Sequence, residues 1–161
     1  MPTSKTDLTN PPRRLPHIRL PSLTGGTDIP IIWRRTGPIL LLLHPDRCET
    51  CSAFAHRVAA VSDGITEWDG RPLVIVSETT GIVRSDSMLT DLPFPILDDR
   101  EGRLRTALRM DAPAVIIADQ WGEIYERIEA GDGHRFPEPD ELVDWARVIA
   151  TKCPECEGEV F

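Results

Sequence analysis

The chain lacks an excess of positive charge, a long apolar run and an apolar leader, and each absence removes a class of function. Its 18 lysines and arginines are outnumbered by 26 aspartates and glutamates, for a formal net charge of −8. Sequence-independent nucleic-acid binding needs a basic face that displaces counterions, so no nucleic-acid partner is expected. The longest apolar run, Ile39 to Leu43, falls far short of the roughly 20 residues that cross a bilayer, so no membrane association is expected either. The opening MPTSKTDLTNPPRR is polar and leads into no apolar stretch of the kind a signal peptide carries, which makes a cytoplasmic location the expectation. What is present is 161 residues, 40% hydrophobic and 27% charged, enough for one domain with a core and too few for two. The four cysteines form two C-x-x-C pairs, Cys48/Cys51 and Cys153/Cys156. In a reducing compartment that spacing points to redox chemistry or metal binding rather than structural cross-links.

Pro2, Pro11, Pro12, Pro16, Pro21 and Pro30 crowd the start of the chain, and residues 1–15 read as a flexible arm. Residues 16–151 read as the folded domain and 152–161 as a cysteine-bearing tail. Short strands are expected at 17–20 and 28–33. Pro38 to His44 has no polar alternation and reads as a strand buried on both faces. From Cys48, the positions of Cys51, Phe54, Val58 and Val61 make the stripe of an amphipathic helix, with Asp63-Gly64 as its stop and 65–71 as a loop. Pro72 to Ser77 is a second buried strand, so strand, helix and strand form a right-handed parallel crossover. A short helix at 82–89, an extended segment at 93–97 and a helix at 100–110 follow. Ala112 to Ala118 is a third strand, turned by Asp119-Gln120-Trp121-Gly122 into an alternating partner at 123–128. Asp140 caps a last helix whose Leu142, Trp145, Ala146 and Ile149 face inward.

A helix N-terminus carries unpaired N–H groups and partial positive charge, both of which stabilise a thiolate. Cys48 sits there and is the candidate nucleophile; Cys51, one turn inside on the apolar stripe, is the candidate resolving thiol. Arg47 favours the Cys48 thiolate and Glu49 opposes it. Metal binding by this pair with His44 or His56, and a redox-inactive scaffold, are the competing readings of the same residues.

The order of these elements resembles the thioredoxin fold of the redoxin superfamily, and more narrowly its alkyl hydroperoxide reductase/thiol-specific antioxidant branch. The matching stretches are Leu20-Pro21-Ser22-Leu23-Thr24-Gly25-Gly26, Cys48-Glu49-Thr50-Cys51, Leu92-Pro93-Phe94-Pro95-Ile96-Leu97-Asp98-Asp99 and Pro113 to Ile124. The resemblance implies an α/β fold of three layers, a mixed sheet between helices, with a peroxiredoxin-type insertion before a cis-proline at Pro113. It also implies that Ala112, preceding that proline, offers backbone groups to an extended substrate. Two departures separate the chain from the peroxide-reducing members. Their threonine three residues before the cysteine is Pro45 or Cys48 here, and their arginine before the third strand is Pro113. The thioredoxin-like C-x-x-C subclass is therefore the expectation, exchanging a Cys48/Cys51 dithiol with protein or small thiol substrates and an unidentified reductase, with no cofactor required. The acid often buried under such sites falls at Leu42 and is missing. His44, at the strand end, is the nearest group by sequence to move a proton, and His134 is expected near the site on its glycine-rich loop.

The second pair is harder to join to the first. The last helix should start near the first pair and run roughly 20 Å away over its 13 or so residues. Cys153-Pro154-Glu155-Cys156 resembles one knuckle of a zinc ribbon, although Glu157 stands where glycine is usual. One knuckle supplies two thiolates, so a zinc site would need two chains, making a homodimer. Alternatively the pair is a separate dithiol. A peroxiredoxin-like peroxide reductase and a non-catalytic module with a shared zinc knuckle remain the alternative functions.

Overall fold

The computed structural model describes residues 11–23, 25–44, 49–77, 89, 91–131 and 135–152. Two short strands, β1 (Arg19–Leu20) and β2 (Ile29–Pro30), pair antiparallel ahead of the main sheet. The unbroken apolar run forms β3 (Gly37–Leu43), whose residues from Pro38 on are all buried, as a strand covered on both faces must be. It lies at the centre of a five-stranded sheet. Beside it run β4 (Gly70–Val76) and then β5 (Ile96–Asp98), all three parallel; on the other side are β6 (Ala114–Ala118) and β7 (Ile124–Glu129), each antiparallel to its neighbour.

The pleat divides β3 between two cores. Ile39, Leu41 and Leu43 pack with α1 (Glu49–Ala60), α2 (Ser62–Glu67) and α4 (Pro139–Thr151). Leu40 and Leu42 pack with α3 (Arg103–Leu108) and with Leu15, Leu20 and Ile31. The result is three layers, with β4 reached from β3 through helix as the crossover requires. Among the described residues no helix is long and apolar enough to cross a membrane.

Several expectations need correction. Gly64 does not stop a helix and 65–71 is not a loop: the chain breaks for one residue at Val61 (φ −111, ψ 10), resumes as α2 to Glu67, and starts β4 at Gly70. Glu138, not Asp140, holds the N-cap position of α4, with Pro139 in the first turn, where a missing N–H costs nothing. The expected strand at 28–33 shrinks to β2. The expected helix at 82–89 falls largely outside the described residues, as does the first part of the insertion; the remainder of the insertion contains β5 and α3.

Arg13 to Leu15, read from sequence as part of a flexible arm, are joined to the β6–β7 hairpin. The Leu15 N–H donates to Gly122 O at 2.7 Å, and the Ile124 N–H donates to Arg13 O at 2.8 Å. The same segment then reaches the opposite side of the sheet, where the Leu23 N–H donates to Ile96 O and the Asp98 N–H to Pro21 O, both at 2.8 Å. Arg71 on β4 fixes the following stretch: its Nη2 donates to Pro30 O at 2.8 Å and Ile31 O at 2.6 Å. Burial lowers its guanidinium pKa to about 10.

At the end of α4, Lys152 Nζ donates to the Tyr125 hydroxyl at 2.8 Å and lies 4.1 Å from the ring centroid. Burial raises the Tyr125 phenol above its ordinary value, and the Lys152 hydrogen bond works against that rise. A raised folded-state pKa gives stability that is present below the ordinary phenol pKa and lost as pH climbs through the folded one. Tyr125 is the sole tyrosine, so phenolate absorbance reads it directly. The expected titration midpoint lies above that of a free phenol, and Lys152→Met moves it higher still. A midpoint at the free value, unmoved by the substitution, would contradict the contact.

Candidate active site

Three chain segments converge where β3 ends. His44 follows the last residue of β3, α1 begins a few residues later, and the Ala112–Pro113 peptide, which is cis, leads into β6. The pairing Leu42↔Ala114 sets Pro113 beside the end of β3. A fourth segment closes the cluster, because Pro113 O accepts the Ala130 N–H at 3.0 Å and Ala130 O accepts the Arg135 N–H at 3.1 Å. The glycine-rich loop therefore leaves and returns beside the proline. Its His134 lies outside the described residues, as do Arg47 and Cys48.

Cys51 is in the first turn of α1 and is completely buried, sharing a cluster with Leu43, Phe54, Val76, Leu89 and Phe94. Its neighbour Ser52 is buried as well. A thiol so enclosed presents no surface to a protein substrate. One turn on, Phe54 is 1% exposed and stacks on Phe136, ring centroids 4.2 Å apart and planes 7° from parallel. This pair, with the Arg57–Glu138 bridge at 2.7 Å, ties α1 to the start of α4.

His44 Nε2 lies 3.1 Å from Ala112 O. A carbonyl only accepts, so Nε2 carries the proton in this contact and Nδ1 is the nitrogen left over. Sequence position had brought His44 near Cys48; the structure adds a bond to the peptide carbonyl that precedes Pro113. That contact engages one lone pair of the carbonyl. His56 sits on the outer flank of α1 with Nδ1 2.9 Å from Ser52 O. Leu42 is buried in the opposite core, with no acid in its place. Among the described residues no group of three histidines, cysteines or acids is placed to hold a metal; Cys153 and Cys156 lie outside them.

Sequence reasoning missed Phe136 and Arg71. A lone phenylalanine between charged and proline residues shows no periodicity, and Arg71 falls in the stretch 65–71 that reads as a loop. Only their partners, more than 40 positions away for Arg71 and Pro30 and farther for the phenylalanines, reveal what they do.

The α4 direction agrees with the sequence expectation. Its first turn lies by α1, and Ile149 near its end approaches Gly37 at the start of β3, 3.8 Å from where a Cβ would stand. Lys152, the residue before Cys153, is therefore at the pole opposite Cys51.

No protein-family model matches the sequence, and no curated protein matches it. Solved structures do. Mycobacterium tuberculosis AhpC superposes with a TM-score of 0.72 at 19% identity, over 91% of this chain and 97% of that one. Xanthomonas campestris peroxiredoxin Q gives 0.72 at 12% identity, over 88% and 99%. A secreted Mycobacterium tuberculosis disulfide oxidoreductase gives 0.65 at 17% identity, over 82% and 96%. The fold is thioredoxin-like, as the resemblance in the sequence implied.

Proposed function

We propose that the chain is a thiol–disulfide oxidoreductase in which Cys48 attacks and Cys51 resolves. The observation that carries the reading is the complete burial of Cys51 in the first turn of α1, beside the cis-proline segment. The Cys48 thiolate attacks a substrate disulfide, forms a mixed disulfide and releases one substrate thiolate. Cys51, deprotonated as it reacts, then attacks the Cys48 sulfur and expels the second substrate thiolate. Two electrons have passed to the substrate, and the Cys48–Cys51 disulfide is returned to dithiol by an external thiol reductant. No cofactor enters. Ala112, its carbonyl aligned by His44, is the backbone against which an extended protein substrate would lie, which favours protein disulfides over small ones.

The test is parallel kinetics. Catalysed reduction of insulin by dithiothreitol, together with a Cys48–Cys51 disulfide mapped by mass spectrometry after mild oxidation, is the expected result. Absence of both, with fast second-order consumption of hydrogen peroxide, would replace this reading by a peroxide reductase. The proposed roles place no demand on Cys153 and Cys156, so serine at both positions should leave the insulin rate within about twofold.

A further inference from the structure

We infer a binding site for a small uncharged aromatic molecule that carries one hydrogen-bond donor, in a cavity beside the end of α4. The cavity, about 440 Å³, opens between the start of β3, the β6–β7 turn and Lys152. It adjoins Cys153 in the chain and lies away from Cys51. That volume falls within the usual range for small-molecule pockets.

The walls call for a ring. The buried side chains of Ile39 and Ile117, partners across β3 and β6, make an apolar inner end. Trp68 and Trp121 bring their indoles to the same space, and Trp121 is 51% exposed. Indoles beside an apolar surface suit a flat ligand, which gains burial and offset stacking together.

The charges around the cavity cancel. Arg35 and Lys152 are matched by Asp69 and Asp119. Lys152 is committed further, since its Nζ donates to the Tyr125 hydroxyl at 2.8 Å and lies 4.1 Å from the ring centroid. A charged ligand would shed its water without finding an unmatched counter-charge, so the molecule that fits is uncharged.

One polar atom selects the donor. Asp119 is only 4% exposed, and its Oδ1 accepts the N–H groups of Trp121 and Glu123, both at 2.9 Å. Its Oδ2 faces Tyr125, another residue of the cavity wall, whose hydroxyl stands 3.5 Å away. A hydroxyl that donates to a carboxylate ordinarily sits at about 2.5–2.7 Å. This oxygen therefore has room for a closer donor, and a buried carboxylate short of donors is costly. An N–H or O–H on the edge of a bound ring supplies one without adding charge.

The test uses the full chain and two flat molecules of one shape: indole, with its N–H, and benzofuran, with an ether oxygen in that place. Of the four tryptophans, Trp68 and Trp121 line the cavity. Their side-chain N–H resonances, assigned by substitution, should move along one saturating curve as indole is added, while those of Trp33 and Trp145 stay. Benzofuran should bind about tenfold more weakly, the loss of one hydrogen bond to a charged acceptor. Asp119→Asn, which keeps an acceptor for the turn, should bring indole down to the level of benzofuran. Ala150→Phe, at an exposed position of α4 on the cavity wall, should fill the space and weaken both at least about tenfold while keeping the thermal midpoint of the parent. Equal movement of all four resonances, or binding indifferent to Ala150→Phe, would overturn the site. Equal affinity for indole and benzofuran would overturn the donor. Tighter binding of indoleacetate or tryptamine than of indole would overturn the lack of charge. Serine at Cys48 and Cys51 should change none of these results, which separates the site from the thiol chemistry.

Discussion

Cys48→Ser is expected to lower turnover of a protein disulfide by about 100-fold or more, because the attacking thiolate disappears and a serine hydroxyl is no substitute at neutral pH. Cys51→Ser is expected to behave differently. Cys48 still attacks, but nothing within the chain displaces the mixed disulfide, so the variant should accumulate covalently joined to its substrate and survive non-reducing electrophoresis. The asymmetry follows from burial: Cys51 is wholly enclosed by the core of α1 and the sheet. If the two serine variants fail equally and neither traps substrate, the division of labour is wrong. If Cys48→Ser is the variant that traps substrate and Cys51→Ser the one that no longer attacks it, the roles are reversed, and α1 must open to expose its first turn.

Phe54→Ala is the structural change with the largest expected cost. The ring is 1% exposed and stacks on Phe136 at 4.2 Å, so its removal forfeits buried area, the aromatic pair and close packing together. Such truncations cost about 3–5 kcal/mol, which for a domain of this size lowers the thermal midpoint by about 10 °C or more. Phe54→Leu keeps most of the volume and should lose less than half as much. Because the residue lies one turn beyond Cys51, the alanine variant should also expose that thiol, and alkylation under native conditions should accelerate. Chemical denaturation giving a loss below about 1 kcal/mol would mean that the stack contributes little and that α1 is held by its aliphatic contacts alone.

The central architecture was legible because its signals are local. Pro38 to His44 reads as a strand covered on both faces, and Asp119-Gln120-Trp121-Gly122 as a turn; Gly122 takes φ 88 there. The C-x-x-C at a strand-to-helix junction and Ala112-Pro113 before the third strand located the candidate site for the same reason. What failed depended on partners distant in sequence. The early prolines suggest a loose arm until Arg13 and Leu15 are found bonded to the hairpin. His44 could be guessed to sit near Cys48 from spacing; its bond to Ala112 O, 68 positions away, has no trace in the local pattern.

The stretch from Arg13 to Leu23 has a practical meaning for handling the protein. An open sheet ends in two rows of unpaired backbone groups, each a template on which another molecule can add a strand. Here one segment bonds to the chain at both sides of the sheet, meeting the start of β7 through Arg13 and Leu15 and β5 through Pro21 and Leu23. Trimming the chain to begin after Leu23 would uncover both rims in one step and leave a protein inclined to assemble edge to edge. A purification tag or fusion partner belongs ahead of Arg13, where it leaves this segment in place.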